Sequence, residues 1–162
     1  MTNLVWNKCF DLLMINEGGY VNDPKDSGGE TKYGISKRQY PHLDIPNLTL
    51  DQAKNIYFND YWLRNKCDRF PDCISVCLFD FCVNSSAVKA KKLLQKALGV
   101  KEDGIIGNQT IGTANRIPLR PVVDKYCDLR KDYLMSLNGF NHFGQGWLKR
   151  VQRVQQTAEE LI

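Results

Sequence analysis

Residues 16–36 read NEGGYVNDPKDSGGETKYGIS, and this run constrains the chain more than any other. It holds five of the chain's twelve glycines together with Pro24. No regular helix survives such a density of glycine and proline. Whatever precedes it must stop at its edge, and the chain must then turn across the surface from 18 to 35, with room for a small β-hairpin. The preceding segment, 4–17, puts Trp6, Phe10, Leu13 and Glu17 on one helical face. An acid therefore stands at the junction between an apolar helix and a mobile, polar run. Three more carboxylates, Asp23, Asp26 and Glu30, lie within the run itself.

The rest of the chain reads as mostly helical. SKRQY at 36–40 suggests a short helical turn stopped by Pro41. The segment 49–62 opens with a capping box, Thr49 followed three residues later by Gln52, and keeps the helical period through Ala53, Ile56, Tyr57 and Tyr61. Pro71 opens another helix. On it Cys73, Cys77, Asp80 and Asn84 share one stripe, and Ile74, Leu78 and Phe81 the next. A further helix is capped near Ser86 and ends at Gly99. A turn with a short helix follows at 102–116. Pro118 starts a long helix through about Leu137. FNHFGQGW at 140–147 reads as a loop, and 147–160 closes the chain as a helix with Trp147, Val151, Val154 and Ala158 on one face. The 162 residues fit a single compact domain, 1–162, with a soft boundary near 85.

Several function classes are disfavoured. No apolar run is long enough for a membrane helix. The N-terminal residues make a poor signal peptide, with Asn3, Asn7, Lys8 and Asp11 where an apolar core belongs. The expectation is synthesis in the cytoplasm. The net charge of +4 is mild and spread out, and the basic run KAKKLLQK at 89–96 sits beside an apolar stripe of its own helix. No basic stripe is interleaved with aromatics, so no nucleic-acid partner is expected. The six cysteines contain no Cys-x-x-Cys pair, and His42 and His142 are isolated. No metal site is expected, and the cysteines read as thiols packed like small hydrophobes. DGIIG lacks the alternating acids of a calcium loop.

The chemistry concentrates around Glu17. A carboxyl held against apolar groups resists ionising, which suits a general acid that must protonate a glycosidic oxygen. Asp26, nine residues on in polar surroundings, would stay ionised. Two carboxylates in unlike environments fit acid-assisted glycoside cleavage. Thr31 offers a hydroxyl to hold a water. The same residues also suit a solvated helix end followed by turns. Tyr57, Tyr61 and Trp62 could stack on sugar rings or fill a core. Asp80 and Asn84 could meet a substrate or serve a buried hydrogen-bond network.

The ordered motif Glu-Gly-Gly-Tyr, Asn-Asp-Pro, Asp-x-Gly-Gly-x-Thr, Tyr-Gly-Ile resembles the signature of glycoside hydrolase family 108, N-acetylmuramidases of the lysozyme-like superfamily that include phage-type endolysins. AKNIYFNDYW at 53–62 and LFDFCVNSS at 78–86 are similar to further family segments. LLQKALGVKEDGIIGNQT resembles the predicted peptidoglycan-binding half, and LRKDYL and GQGWLKRV the closing segments. The resemblance implies a mainly α, lysozyme-like fold with a glycine-rich active-site loop, a catalytic half at 1–85 and a peptidoglycan-binding-like half at 86–162. It implies cleavage of the β-1,4 bond between N-acetylmuramic acid and N-acetylglucosamine, with no cofactor. Glu17 takes the role of the catalytic acid, with Asp26 and Thr31 beside it. Tyr20, Tyr33, Gly34, Tyr61, Trp62, Asp80 and Asn84 are the expected substrate-binding residues.

The expected partner is bacterial peptidoglycan, met by a monomer in the periplasm after release through a holin-type pore or a secretion apparatus. A peptidoglycan-binding protein without catalysis is the alternative. A helical adaptor is a third reading; it requires an exposed apolar stripe on 147–160, which an enzyme would bury.

Overall fold

The computed structural model describes residues 4–25 and 29–162. Among these, seven α-helices accompany one three-stranded antiparallel sheet, the mainly α architecture expected from the helical periodicities. The chain divides into two compact units, Met1–Asp60 and Tyr61–Ile162.

The first unit begins with α1 (Leu4–Asn16). Trp6, Phe10 and Leu13 are buried, as their shared face demands. Trp6 meets Phe58 edge-on at 5.2 Å and Phe10 leans on Tyr57 at 6.3 Å. The glycine-rich run then forms β1 (Val21–Asn22), β2 (Glu30–Lys32) and β3 (Ile35–Ser36) as a meander. Val21 pairs with Thr31, and Thr31 with Ser36. The expected helical turn at 36–40 thus gives its first residue to a strand. Ile35, Ile45 and Leu48 fill the core below.

α2 (Leu50–Tyr57) starts on the capping box: the Gln52 N–H donates to Thr49 Oγ1 at 3.1 Å, and the Thr49 N–H to Gln52 Oε1 at 2.9 Å. The helix does not run on to 62 as an α-helix. A π-helical turn, Phe58–Leu63, replaces its last stretch. A π turn brings residues five apart onto one face. Trp62, five after Tyr57, is therefore turned inward and only 1% exposed, while Tyr61, four after Tyr57, is left half-buried.

The second unit is built on α3 (Asp72–Asn84), buried continuously from Cys73 to Cys82. It packs against α4 (Ala87–Leu98), α6 (Leu119–Met135) and α7 (Phe140–Glu159). The short α5 (Asn108–Ala114) follows a loop tied to α4 by Gln95. The buried Gln95 amide donates to Asp103 Oδ1 and to the Ile105 carbonyl, and its oxygen accepts from the Gly104 N–H. Asp103 also accepts from the Ile105 N–H, so both motif acid and motif glutamine are spent on shaping the turn.

α7 begins at Phe140, so FNHFGQGW is helical rather than a loop; the two internal glycines hid the period. Val151, Val154 and Ala158 are buried and Trp147 is half-buried, so most of the stripe that an adaptor would need is covered. All six cysteines are buried and none is in a disulfide. Cys77 and Cys127 bring their sulfurs within 4.0 Å.

Candidate active site

Glu17 lies one residue past α1, its N–H still bonded to the Leu13 carbonyl at 3.1 Å. The last turn of the helix therefore sets its backbone, and its side chain is half-buried. Beside it runs the β2–β3 hairpin. Lys32 pairs with Ile35, which leaves Tyr33 and Gly34 as a two-residue turn, with φ of 53° and 78°. Positive φ at both central residues is the tight turn whose twist matches the flanking strands.

Two bonds fix this turn. The Tyr33 N–H donates to the Gly18 carbonyl at 3.1 Å. The hydroxyl of the buried Tyr57 donates to the Tyr33 carbonyl at 2.7 Å. Helix end, hairpin and α2 thus converge on one point, and the Glu17 carboxyl occupies it. A Cβ at Gly34 would stand 2.8 Å from Glu17 Oε2 and 2.9 Å from its Cδ, and would collide with the Tyr57 hydroxyl. Only glycine both adopts this backbone and leaves room for the acid. The arrangement gives a carboxyl that solvent can reach and that a clamped turn holds in place, which is what a proton donor to a bound substrate needs.

The sequence model of the glycosyl hydrolase 108 family matches residues 10–86. The structure of SagA from Brucella abortus superposes with a TM-score of 0.85 at 32% sequence identity, over 96% of this chain and 94% of that one. The chain belongs to the glycosyl hydrolase 108 family. No curated protein matches it. Family 108 membership makes the chain a glycoside hydrolase, and the matched segment contains Glu17, the hairpin and α2.

Within this family 108 chain the other expected site residues separate into two groups. Tyr33 and Gly34 form the turn against Glu17. Thr31 sits mid-sheet between Val21 and Ser36, half-buried. Tyr20 is exposed and its hydroxyl donates to Glu30 Oε2 at 2.7 Å. That bond, with lesser help from desolvation and the nearby charge, holds the Tyr20 hydroxyl above the usual tyrosine range. Asp26 lies outside the described residues.

The second group does not serve as expected. Trp62 is a core residue, edge-on to Phe79 at 5.8 Å, with no face to offer a sugar ring. Asp80 is 2% exposed and locked between two arginines. Arg130 Nη2 lies 2.8 Å from Asp80 Oδ2 and Arg150 Nη2 3.0 Å from Oδ1. Arg150 Nε adds bonds of 3.2 Å to both oxygens. Burial alone would raise this carboxyl, but the two guanidiniums outweigh it and hold Asp80 below the usual carboxylate range. Asn84 accepts from Arg130 Nη2 at 3.1 Å and belongs to the same internal network. For Asp80 and Asn84 the buried network is the reading that holds; a polar residue on a helical stripe gives no sign of whether an arginine from a distant helix meets it. Tyr61 stays half-buried on the π turn.

Two residues of the site were not anticipated as members of it. Tyr57 reads as sugar-stacking or core, and its hydroxyl instead holds the hairpin; a buried tyrosine that needs a polar partner was the available signal. Glu30 reads as one acid among several, and only the fold shows it paired to Tyr20.

Proposed function

We propose that this glycoside hydrolase is an N-acetylmuramidase that cleaves the β-1,4 bond between N-acetylmuramic acid and N-acetylglucosamine in peptidoglycan. The observation that supports this reading best is the Glu17 carboxyl clasped against the Gly34 turn. In it, Glu17 protonates the leaving glycosidic oxygen. Asp26 supplies the ionised partner that stabilises the developing positive charge or positions the attacking water, and Thr31 helps hold that water. Tyr20, Tyr33 and Tyr61 are half-buried or exposed and could line the saccharide path. The half at 86–162 would grip the wall. The enzyme would act in the periplasm after release through a pore or secretion apparatus.

Digestion of purified peptidoglycan with mass spectrometry of the soluble products tests this. Fragments ending in reducing N-acetylmuramic acid are expected from the wild type. Glu17→Gln keeps the shape without the proton and should lower the rate by roughly 10²–10⁴-fold. Fragments ending in reducing N-acetylglucosamine would refute the bond assignment, and an undiminished Glu17→Gln would refute the acid.

A further inference from the structure

Two of the buried thiols meet across a helix pair. Cys77 on α3 and Cys127 on α6 are each 3% exposed, and their sulfurs stand 4.0 Å apart, close enough for a weak S–H···S bond. The contacts around them fix how the two helices lie against each other. One turn on, Asp80 Oδ2 is 2.8 Å from Arg130 Nη2. Beyond it the Phe81 and Tyr133 rings stand 5.9 Å apart, and the Ser85 hydroxyl lies 3.4 Å from that of Tyr133. Partners rise together along both helices, with an offset close to fifty residues, so α3 and α6 run parallel.

Cys77 and Asp80 are three apart and share a face of α3, as Cys127 and Arg130 do on α6. The sulfur contact is therefore held one turn away by an ion pair whose side chains are themselves buried. A disulfide places its sulfurs about 2.05 Å apart, so each sulfur here needs to move about 1 Å. Side-chain rotation and small helix adjustments supply a displacement of that size.

In the dithiol form the pair is inert. The hydrogen bond with Cys127, and then burial, hold the Cys77 thiol well above the usual thiol range. A protonated, enclosed sulfur is a poor nucleophile. Reaction therefore waits until α6 opens from α3, or takes place as the chain folds.

We propose that Cys77 and Cys127 form a disulfide site, closed by a small-molecule disulfide such as oxidised glutathione. One protein thiolate attacks the external disulfide, giving a mixed disulfide and releasing one thiol. The second thiolate attacks the protein sulfur of that mixed disulfide and expels the other thiol. Two protein S–H bonds become one S–S bond, and the oxidant takes up two electrons and two protons as two thiols. The bridge joins residues fifty apart in sequence. A cross-link of that span stabilises mainly by restricting the unfolded chain. It closes where thiols are oxidised and stays open where they are kept reduced. None of this depends on which bond the hydrolase cleaves. Cys73, one turn before Cys77 on the same face of α3, is the rival partner for Cys127. Cys82 is turned about 140° around the helix from Cys77.

The test starts from reduced protein unfolded in urea and diluted into a buffer of reduced and oxidised glutathione. After equilibration the remaining thiols are blocked with iodoacetamide in urea. A non-reducing tryptic map is read by tandem mass spectrometry, which places the bridge within the peptide that carries Cys73, Cys77 and Cys82. A Cys77–Cys127 link is expected to dominate, with Cys9, Cys67, Cys73 and Cys82 alkylated. The thermal midpoint of the bridged protein should exceed that of the same protein after dithiothreitol by roughly 5–10 °C. Cys127→Ala should abolish this redox shift, and Cys73→Ala should keep it. If Cys127→Ala does not fold, the peptide map and the two midpoints of the wild type still decide. Alkylation of all six cysteines, a dominant bridge between any other pair, or a bridged protein no more stable than the reduced one would overturn the proposal.

Discussion

Two carboxylates at the ends of apolar helices meet opposite fates here. Glu17, just past α1, is half-buried against a glycine turn. Asp80, near the end of α3, is sealed in with Arg130 and Arg150. Their positions on a helical stripe are alike in the sequence. What separates them is the company that tertiary structure brings. A turn without side chain leaves an acid that solvent can reach. Two guanidiniums keep an acid ionised and spend every oxygen lone pair on structure. Accessibility in this chain depends on what faces the carboxylate, not on the carboxylate.

The sharpest way to break the comparison is Asp80→Ala. It leaves two buried cations without their counterion, and a loss of roughly 3–5 kcal/mol is expected by urea denaturation. Glu17→Ala at the reachable site should cost far less stability. If the two substitutions destabilise alike, the distinction between a structural and a chemical carboxylate is wrong.

Gly34→Ala comes next. It places a side chain at positive φ, worth about 1–2 kcal/mol, and adds the collision with Glu17 and Tyr57. Hydrolysis should fall more than stability, because the displaced group is the proposed acid. An active Gly34→Ala enzyme would show that the clamp does not position Glu17.

Acid titration sharpens the other side. The folded-state pKa of Asp80 is depressed, so its contribution is present above the unfolded value of about 3.9 and disappears as pH falls through the folded one. The urea midpoint should decline as pH drops below about 4, and Asp80→Asn should remove part of that dependence. The smallest effect belongs to Thr49→Ala. Loss of the capping box should cost about 1 kcal/mol, seen as a small shift in the thermal midpoint.

How much of this was legible in the sequence differs by region. The helix starts at Thr49 and Ser86 follow from local hydrogen bonding, which a few neighbouring residues encode, and both caps form. The apolar face of α1 follows from period alone. The π turn does not, since one extra residue per turn depends on packing around Trp62, and so the choice between sugar platform and core for Trp62 stayed open until the fold buried it. α7 was shortened because Gly144 and Gly146 suppress helical propensity, while the rings that justify at least Gly144 are visible only in three dimensions. Near Glu17, the glycine-rich turn was legible because turn chemistry is local, and the structure forms it at Tyr33 and Gly34. The partnership of Asp80 with two arginines fifty and seventy residues away was not.

The buried cysteines have a practical consequence for measuring all of this. Burial pushes the Cys82 thiol up to about 12 and raises Cys73 too. A protonated, enclosed sulfur does not react with alkylating reagents. The native protein should therefore take up no label, and each molecule that opens should become available for up to six. Mass spectrometry after a brief pulse of iodoacetamide would then count open molecules directly, and the positions labelled first would name the helix that leaves first.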